Sequence, residues 1–105
     1  MQKQAQEMGN RIRQAVNEID QKAEVFLFGG RARGEERIDS DWDILVLADY
    51  PIDIMKERTF RNHLYDLELE TGEPLSIFVY SKSDWRTKQK ATPFYQNVTS
   101  EGIVL

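Results

Sequence analysis

The chain contains no cysteine. A disulfide framework, a thiol nucleophile and a thiolate-bound metal are thereby excluded. Histidine occurs once, as His63, which excludes a histidine-rich zinc site and the paired-histidine helix of zinc proteases. Proline is scarce, and no Pro-, Gly- or Ser-rich linker, repeat or low-complexity stretch divides the chain. No apolar run approaches the roughly 20 residues needed to span a bilayer. The opening Met1-Gln2-Lys3-Gln4-Ala5-Gln6-Glu7 is polar and does not read as a signal peptide. A soluble cytoplasmic protein is expected, with no membrane partner. Positive charge is not in excess either: 14 Lys and Arg face 18 Asp and Glu, for a net charge of −4. The broad basic surface of a nucleic-acid coat is missing, so nucleic acid is not an expected partner. A small local anion site is compatible with that balance.

What the chain does have is a globular composition, 40% hydrophobic and 10% aromatic over 105 residues. That length suits a single domain over residues 1–105, with little room for a second substrate-binding module. Met8, Ile12, Val16, Ile19 and Ala23 recur on one face of a 3.6-residue period and predict a first helix. Val25-Phe26-Leu27-Phe28, closed by Gly29-Gly30, reads as a buried strand ending in a turn. Arg31 to Ser40 reads as a helical turn and a loop. Trp42 to Leu47 is apolar on both faces past Asp43, as in a central strand covered on both sides.

Asp53 is the expected N-cap of a second helix whose buried stripe is Phe60, Leu64 and Leu67, ending near Gly72. Leu75 to Tyr80 is a third strand, and the tail reads as two short helices broken before Pro93. The order helix, strand, strand, helix, strand, helix predicts an α/β (α+β) domain: a small mixed sheet flanked by helices.

The chemistry-bearing stretch runs from Phe28 to Asp43. Two glycines after a strand let the backbone approach a bulky anion, because no Cβ intervenes. Arg31 and Arg33 supply forked donors suited to phosphate. Asp41 and Asp43, two residues apart, project from one face of a strand while Trp42 points to the other. Such a pair can hold Mg²⁺, which takes few protein carboxylates and shares its remaining ligands with phosphate. Each part has an ordinary alternative: a strand-to-helix turn with solvated arginines, or an Asp turn at a strand start. Together they say more. If the two strands are adjacent and antiparallel, the glycine turn and the carboxylates lie at the same sheet end, as phosphoryl or nucleotidyl transfer requires.

Gly29-Gly30, ten residues, then Asp41-Trp42-Asp43 and the apolar Ile44-Leu45-Val46-Leu47 resembles the signature of the DNA polymerase beta-type nucleotidyltransferase superfamily. Phe28, Ala32-Arg33-Gly34 and Ser40 match its surroundings. The nearest resemblance is to the minimal nucleotidyltransferase proteins. It is tightest over residues 25–47 and looser over the rest. It implies a polymerase-beta-like fold, ATP or another nucleoside triphosphate as substrate, Mg²⁺ as cofactor, and transfer of a nucleoside monophosphate to a hydroxyl on a protein or small molecule. By motif match Gly29 and Gly30, with Ser40, would bind the nucleotide, and Asp41 and Asp43 would be the catalytic metal ligands. Arg31 and Arg33 are added as phosphate contacts on physical grounds. Such proteins often pair with a helical HEPN-type toxin, which suggests an antitoxin and a tyrosine hydroxyl as acceptor.

One position departs from the family pattern. Active members usually carry a third carboxylate on a later strand, and the corresponding residue here is Ser76. Glu73, Glu70 or Glu68 could supply the missing ligand, or it is absent and the protein acts by binding its partner. Among the remaining residues, His63 and the run Asp66, Glu68, Glu70 and Glu73 read as surface features, and Trp42 as core. Trp85 and Tyr80 would pack the tail on the sheet. Lys82, Arg86, Lys88 and Lys90 read as an exposed basic helix face. The apolar ending Gly102-Ile103-Val104-Leu105 could serve a homo-oligomer contact.

Overall fold

The computed structural model describes residues 3–35 and 41–105. Four strands form one mixed sheet in the order β3-β2-β1-β4. β1 (Glu24–Phe28) runs antiparallel to β2 (Trp42–Ala48), and β2 runs parallel to β3 (Leu75–Ser81). β4 (Ile103–Val104) adds antiparallel to the free side of β1. The helices are α1 (Lys3–Ile19), α2 (Gly29–Ala32), α3 (Ile54–Thr71), α4 (Lys82–Arg86) and α5 (Pro93–Glu101).

Alternation along the central strands sorts their side chains into two layers. Val25, Leu27, Trp42, Ile44, Val46, Ile77 and Val79 meet Met8, Ile12, Ala15 and Val16 of α1 and Phe60, Leu64 and Leu67 of α3. On the other face Leu45 and Leu47 meet Trp85 of α4 and Val98 of α5, ringed by Phe26, Phe28, Tyr80, Phe94 and Tyr95. Both faces of β2 are therefore dry, which is why its sequence shows no polar alternation beyond Asp43.

The helix limits follow local chemistry. Asp53 caps α3, its carboxylate accepting from the Lys56 N–H at 2.8 Å, and the helix ends at Gly72 in a left-handed conformation. The first helix is shorter than its apolar spacing suggests: it stops at Ile19, and Ala23 falls in the connection to β1. The cause is Asp20. This nearly buried carboxylate accepts from the Lys22 N–H at 3.0 Å and from the Asp49 N–H at 2.8 Å, turning the chain and tying it to the end of β2. The apolar ending joins the sheet. Ile103 and Val104 are a strand of the sheet, and the Leu105 N–H donates to the Val25 carbonyl at 2.9 Å. Among the described residues, no helix is long and apolar enough to cross a membrane.

Leu64 is fully buried and Leu69 is 66% exposed on the same helix. Leu64→Ala is expected to cost about 2–5 kcal/mol, and Leu69→Ala less than about 0.5 kcal/mol. Urea unfolding of the two variants checks this, and equal midpoints would contradict the assignment of the α3 core face.

Candidate functional site

The antiparallel register sets Phe28 of β1 opposite Asp43 of β2. The glycine turn that follows Phe28 is thus delivered to the end of β2 where the carboxylates stand, as the sequence condition required. The parallel register of β2 and β3 sets Ser76 beside Asp43. The Ser76 hydroxyl donates to Asp41 Oδ2 at 2.7 Å, so Asp41, Asp43 and Ser76 form one polar group at the sheet end. Trp42, between the two aspartates, is 2% exposed and lies in the opposite layer, with α1 and α3.

Gly29 has φ +74, and a Cβ built on it would run into the Asp43 carboxylate. The missing side chain therefore makes room first for Asp43. The Gly29 N–H donates to Glu101 Oε1 at 3.2 Å. Glu101, the last residue of α5, also takes Arg33: Nη1 of Arg33 lies 3.2 Å from Oε1 and 3.0 Å from Oε2. Arg33 Nε bonds Glu35 Oε2 at 3.1 Å. Those two carboxylates, Glu101 foremost, hold the guanidinium above its ordinary pKa.

Asp43 is perturbed the other way for a carboxylate. Partial burial, followed by the negative charge of Asp41, raises its pKa; Arg33 lowers it and Glu101 raises it again. The pair is thus short of positive charge, and two close sets of hard carboxylate oxygens fit a small divalent cation. Among the described residues no group of three or more acidic or histidine side chains is placed to hold a metal.

The other candidates lie as follows. Gly30 meets nothing closer than ordinary contact, its nearest neighbour being the Glu35 carbonyl oxygen 3.7 Å from a built Cβ. The Arg31 guanidinium sits 4.9 Å above the Trp42 ring and 3.6 Å from Glu73. Ser40 falls outside the described residues.

The three glutamates considered as substitutes for a third carboxylate are engaged elsewhere: Glu68 with the Leu75 N–H at 2.7 Å, Glu70 with Arg11 at 2.7 Å, and Glu73 with Arg31. His63 pairs with Glu18 at 3.0 Å on the surface. Lys82, Arg86 and Lys88 each pair with an acidic side chain, Asp49, Glu24 and Asp84 respectively. Glu101 is the residue that sequence reasoning missed. It lies 72 positions from Gly29, and no local pattern points from one to the other.

A family model described as nucleotidyltransferase domain matches residues 10–102. A comparison with curated proteins finds no match. Among solved structures, the crystal structure of a toxin–antitoxin with AMP-PNP is similar at a TM-score of 0.68 and 22% identity, over 91% of this chain and 70% of that one. A mutant of the toxin–antitoxin MntA-HpeT is similar at 0.67 and 18%, over 91% and 70%. A second mutant of it is similar at 0.65 and 22%, over 91% and 69%. At such identities the likeness establishes the fold, a mixed four-stranded sheet with helices.

Two outcomes follow from the local geometry. Gly34 also has a positive φ, +80, but a Cβ there meets nothing within 4 Å. Gly34→Ala should therefore cost only the left-handed backbone penalty, about 1–2 kcal/mol, whereas Gly29→Ala should cost more because Asp43 has to move; urea unfolding ranks the two. A carboxyl whose folded pKa is raised favours folding while protonated. The Asp43 contribution is thus complete below the ordinary Asp value of about 3.9 and lost as pH climbs through the raised value. In metal-free buffer Asp43→Asn should raise the melting temperature at neutral pH, with the gain shrinking toward pH 3; an unchanged or lower melting temperature at neutral pH contradicts the electrostatic account.

Proposed function

The chain belongs to the nucleotidyltransferase domain family, and on that premise we propose that it is a single-domain, Mg²⁺-dependent nucleotidyltransferase that moves AMP from ATP to a hydroxyl group. The observation that carries the reading is the meeting of Gly29, Asp41 and Asp43 at one end of the sheet, from strands that place them there by register. Asp41 and Asp43 would hold Mg²⁺, which when bound offsets the charge of the phosphates and polarises the phosphorus under attack. Gly29 and Gly30 would cradle the triphosphate, Arg33 would pair with its oxygens, and Ser40 belongs to the same proposed set. In the transfer, the acceptor oxygen forms a bond to the α-phosphorus. The bond from that phosphorus to the bridging oxygen breaks, and pyrophosphate leaves with the electron pair. The hydroxyl proton passes to solvent.

Similarity to toxin–antitoxin structures, one of them with AMP-PNP, supports ATP as the nucleotide and a protein as the acceptor. A helical HEPN-type toxin, modified on a tyrosine hydroxyl, is the partner we propose, with this chain as its antitoxin. A second reading has one observation in its favour. Ser76 beside Asp43 offers a neutral hydroxyl, a weak ligand for a doubly charged ion. On that reading the domain restrains its partner by contact and transfers poorly or not at all.

Calorimetric titration of ATP with and without Mg²⁺ tests the site, with Asp41→Asn and Asp43→Asn as variants. Binding should require Mg²⁺ and be lost in each variant; binding indifferent to both substitutions sinks the proposed site. Mass spectrometry of the cognate partner after incubation with ATP and Mg²⁺ then separates the readings. A gain of one AMP supports transfer, and an unchanged mass despite intact ATP binding selects the contact reading.

A further inference from the structure

Two donors of the proposed nucleotide site are already taken, and by the protein itself. The Gly29 N–H is directed at Glu101 Oε1, 3.2 Å away. Arg33 Nη1 spans both oxygens of the same carboxylate, at 3.2 and 3.0 Å. The other edge of that guanidinium is occupied too: Nε and Nη2 each lie 3.1 Å from Glu35 Oε2. Carboxylate and phosphate oxygens use the same guanidinium and amide donors, so Glu101 and a phosphate cannot both have them.

We propose that Glu101 is a built-in competitor for the nucleotide: its carboxylate occupies the Gly29 N–H and Arg33 until a triphosphate displaces it. The inference rests on the nucleotide reading above and adds a regulation of the same site. Two further features fit a competitor better than a brace. Glu101 adds negative charge beside Asp41 and Asp43, where a triphosphate would already be opposed by two carboxylates. Its side chain is also 23% exposed, so it can turn to water without unfolding anything. It is the last residue of α5 and is followed directly by Gly102 and the two residues of β4. Displacing it therefore disturbs only the end of one helix. In this arrangement the empty domain holds its anion seat shut against stray anions, and occupancy by nucleotide is coupled to the position of the chain end of α5.

The test uses the full chain and a non-hydrolysable ATP analogue with Mg²⁺, titrated by calorimetry into wild type and Glu101→Gln. Gln keeps the side-chain size and removes the charge. The expected result is roughly tenfold tighter binding or better by the variant, since a like charge beside the ligand is removed. In wild type, the side-chain carboxyl resonance of Glu101 should move to that of a free carboxylate as the analogue saturates the protein, a readout that does not depend on how well the variant folds. Equal or weaker binding by Glu101→Gln, or a Glu101 resonance unmoved in the saturated complex, overturns the inference and makes Glu101 a fixed brace for Arg33. Absence of binding by both proteins overturns the nucleotide reading itself, and the inference with it.

Discussion

The register of β1 against β2 is the constraint from which the site hangs. With Phe28 facing Asp43, the chain leaving β1 has to pass a carboxylate at van der Waals distance, and only glycine leaves space for it. Both strands are apolar on both faces, so hydrophobic alternation specifies their alignment weakly. Asp43 supplies what the pattern lacks. A slip by one residue would turn its carboxylate into the apolar layer under α1 and α3 and would eject Trp42 from that layer. The residue proposed for chemistry thus also fixes the pairing that assembles the site. The same residue is held in an unfavourable setting, partly buried and beside Asp41, so its presence carries a cost in stability that the surrounding core offsets.

What could be read from the sequence was what depends on neighbours along the chain. The stripe of Phe60, Leu64 and Leu67, the Asp53 cap and the three long strands are local patterns, and each is where it was expected. The glycine turn and the Asp41–Asp43 pair were legible for the same reason, and adjacency of the two strands then brought them together. What could not be read depends on contacts across the chain. A two-residue strand has no period, so β4 gives no signal. Glu101 reaches Gly29 only because α5 and β4 close over β1. That Ser76 stands beside Asp43 is a product of parallel pairing across the whole of α3. The two arginines show the limit most plainly. Arg31 and Arg33 are indistinguishable by type and spacing, yet the turn of α2 sends one over Trp42 and the other toward Glu101.

The division of those arginines also separates structure from chemistry. The face of the sheet under α1 and α3 is a closed apolar layer, with Arg31, Trp42 and Glu73 sealing its end. The face under α4 and α5 carries the aromatic cluster of Phe28, Phe78 and Phe94, whose ring centroids lie 5.2 to 5.6 Å apart, close to the polar end group. Strand alternation alone makes this partition: odd and even positions of β2 go to different layers. A four-residue helix beginning on Gly29 then distributes charge between the two sides.

β4 contributes few backbone hydrogen bonds, and a short segment held by few bonds lies at the low end of the ladder of local opening free energies. β4 is therefore a candidate for local opening while β2 and its neighbours stay closed, α5 itself being anchored by Val98 and Phe94 in the layer beneath it. Glu101 stands at the junction of the two. Fraying of β4 that reaches the last turn of α5 would loosen the carboxylate held by the Gly29 N–H and Arg33. Opening at this sheet edge and exposure of the anion seat are thereby linked.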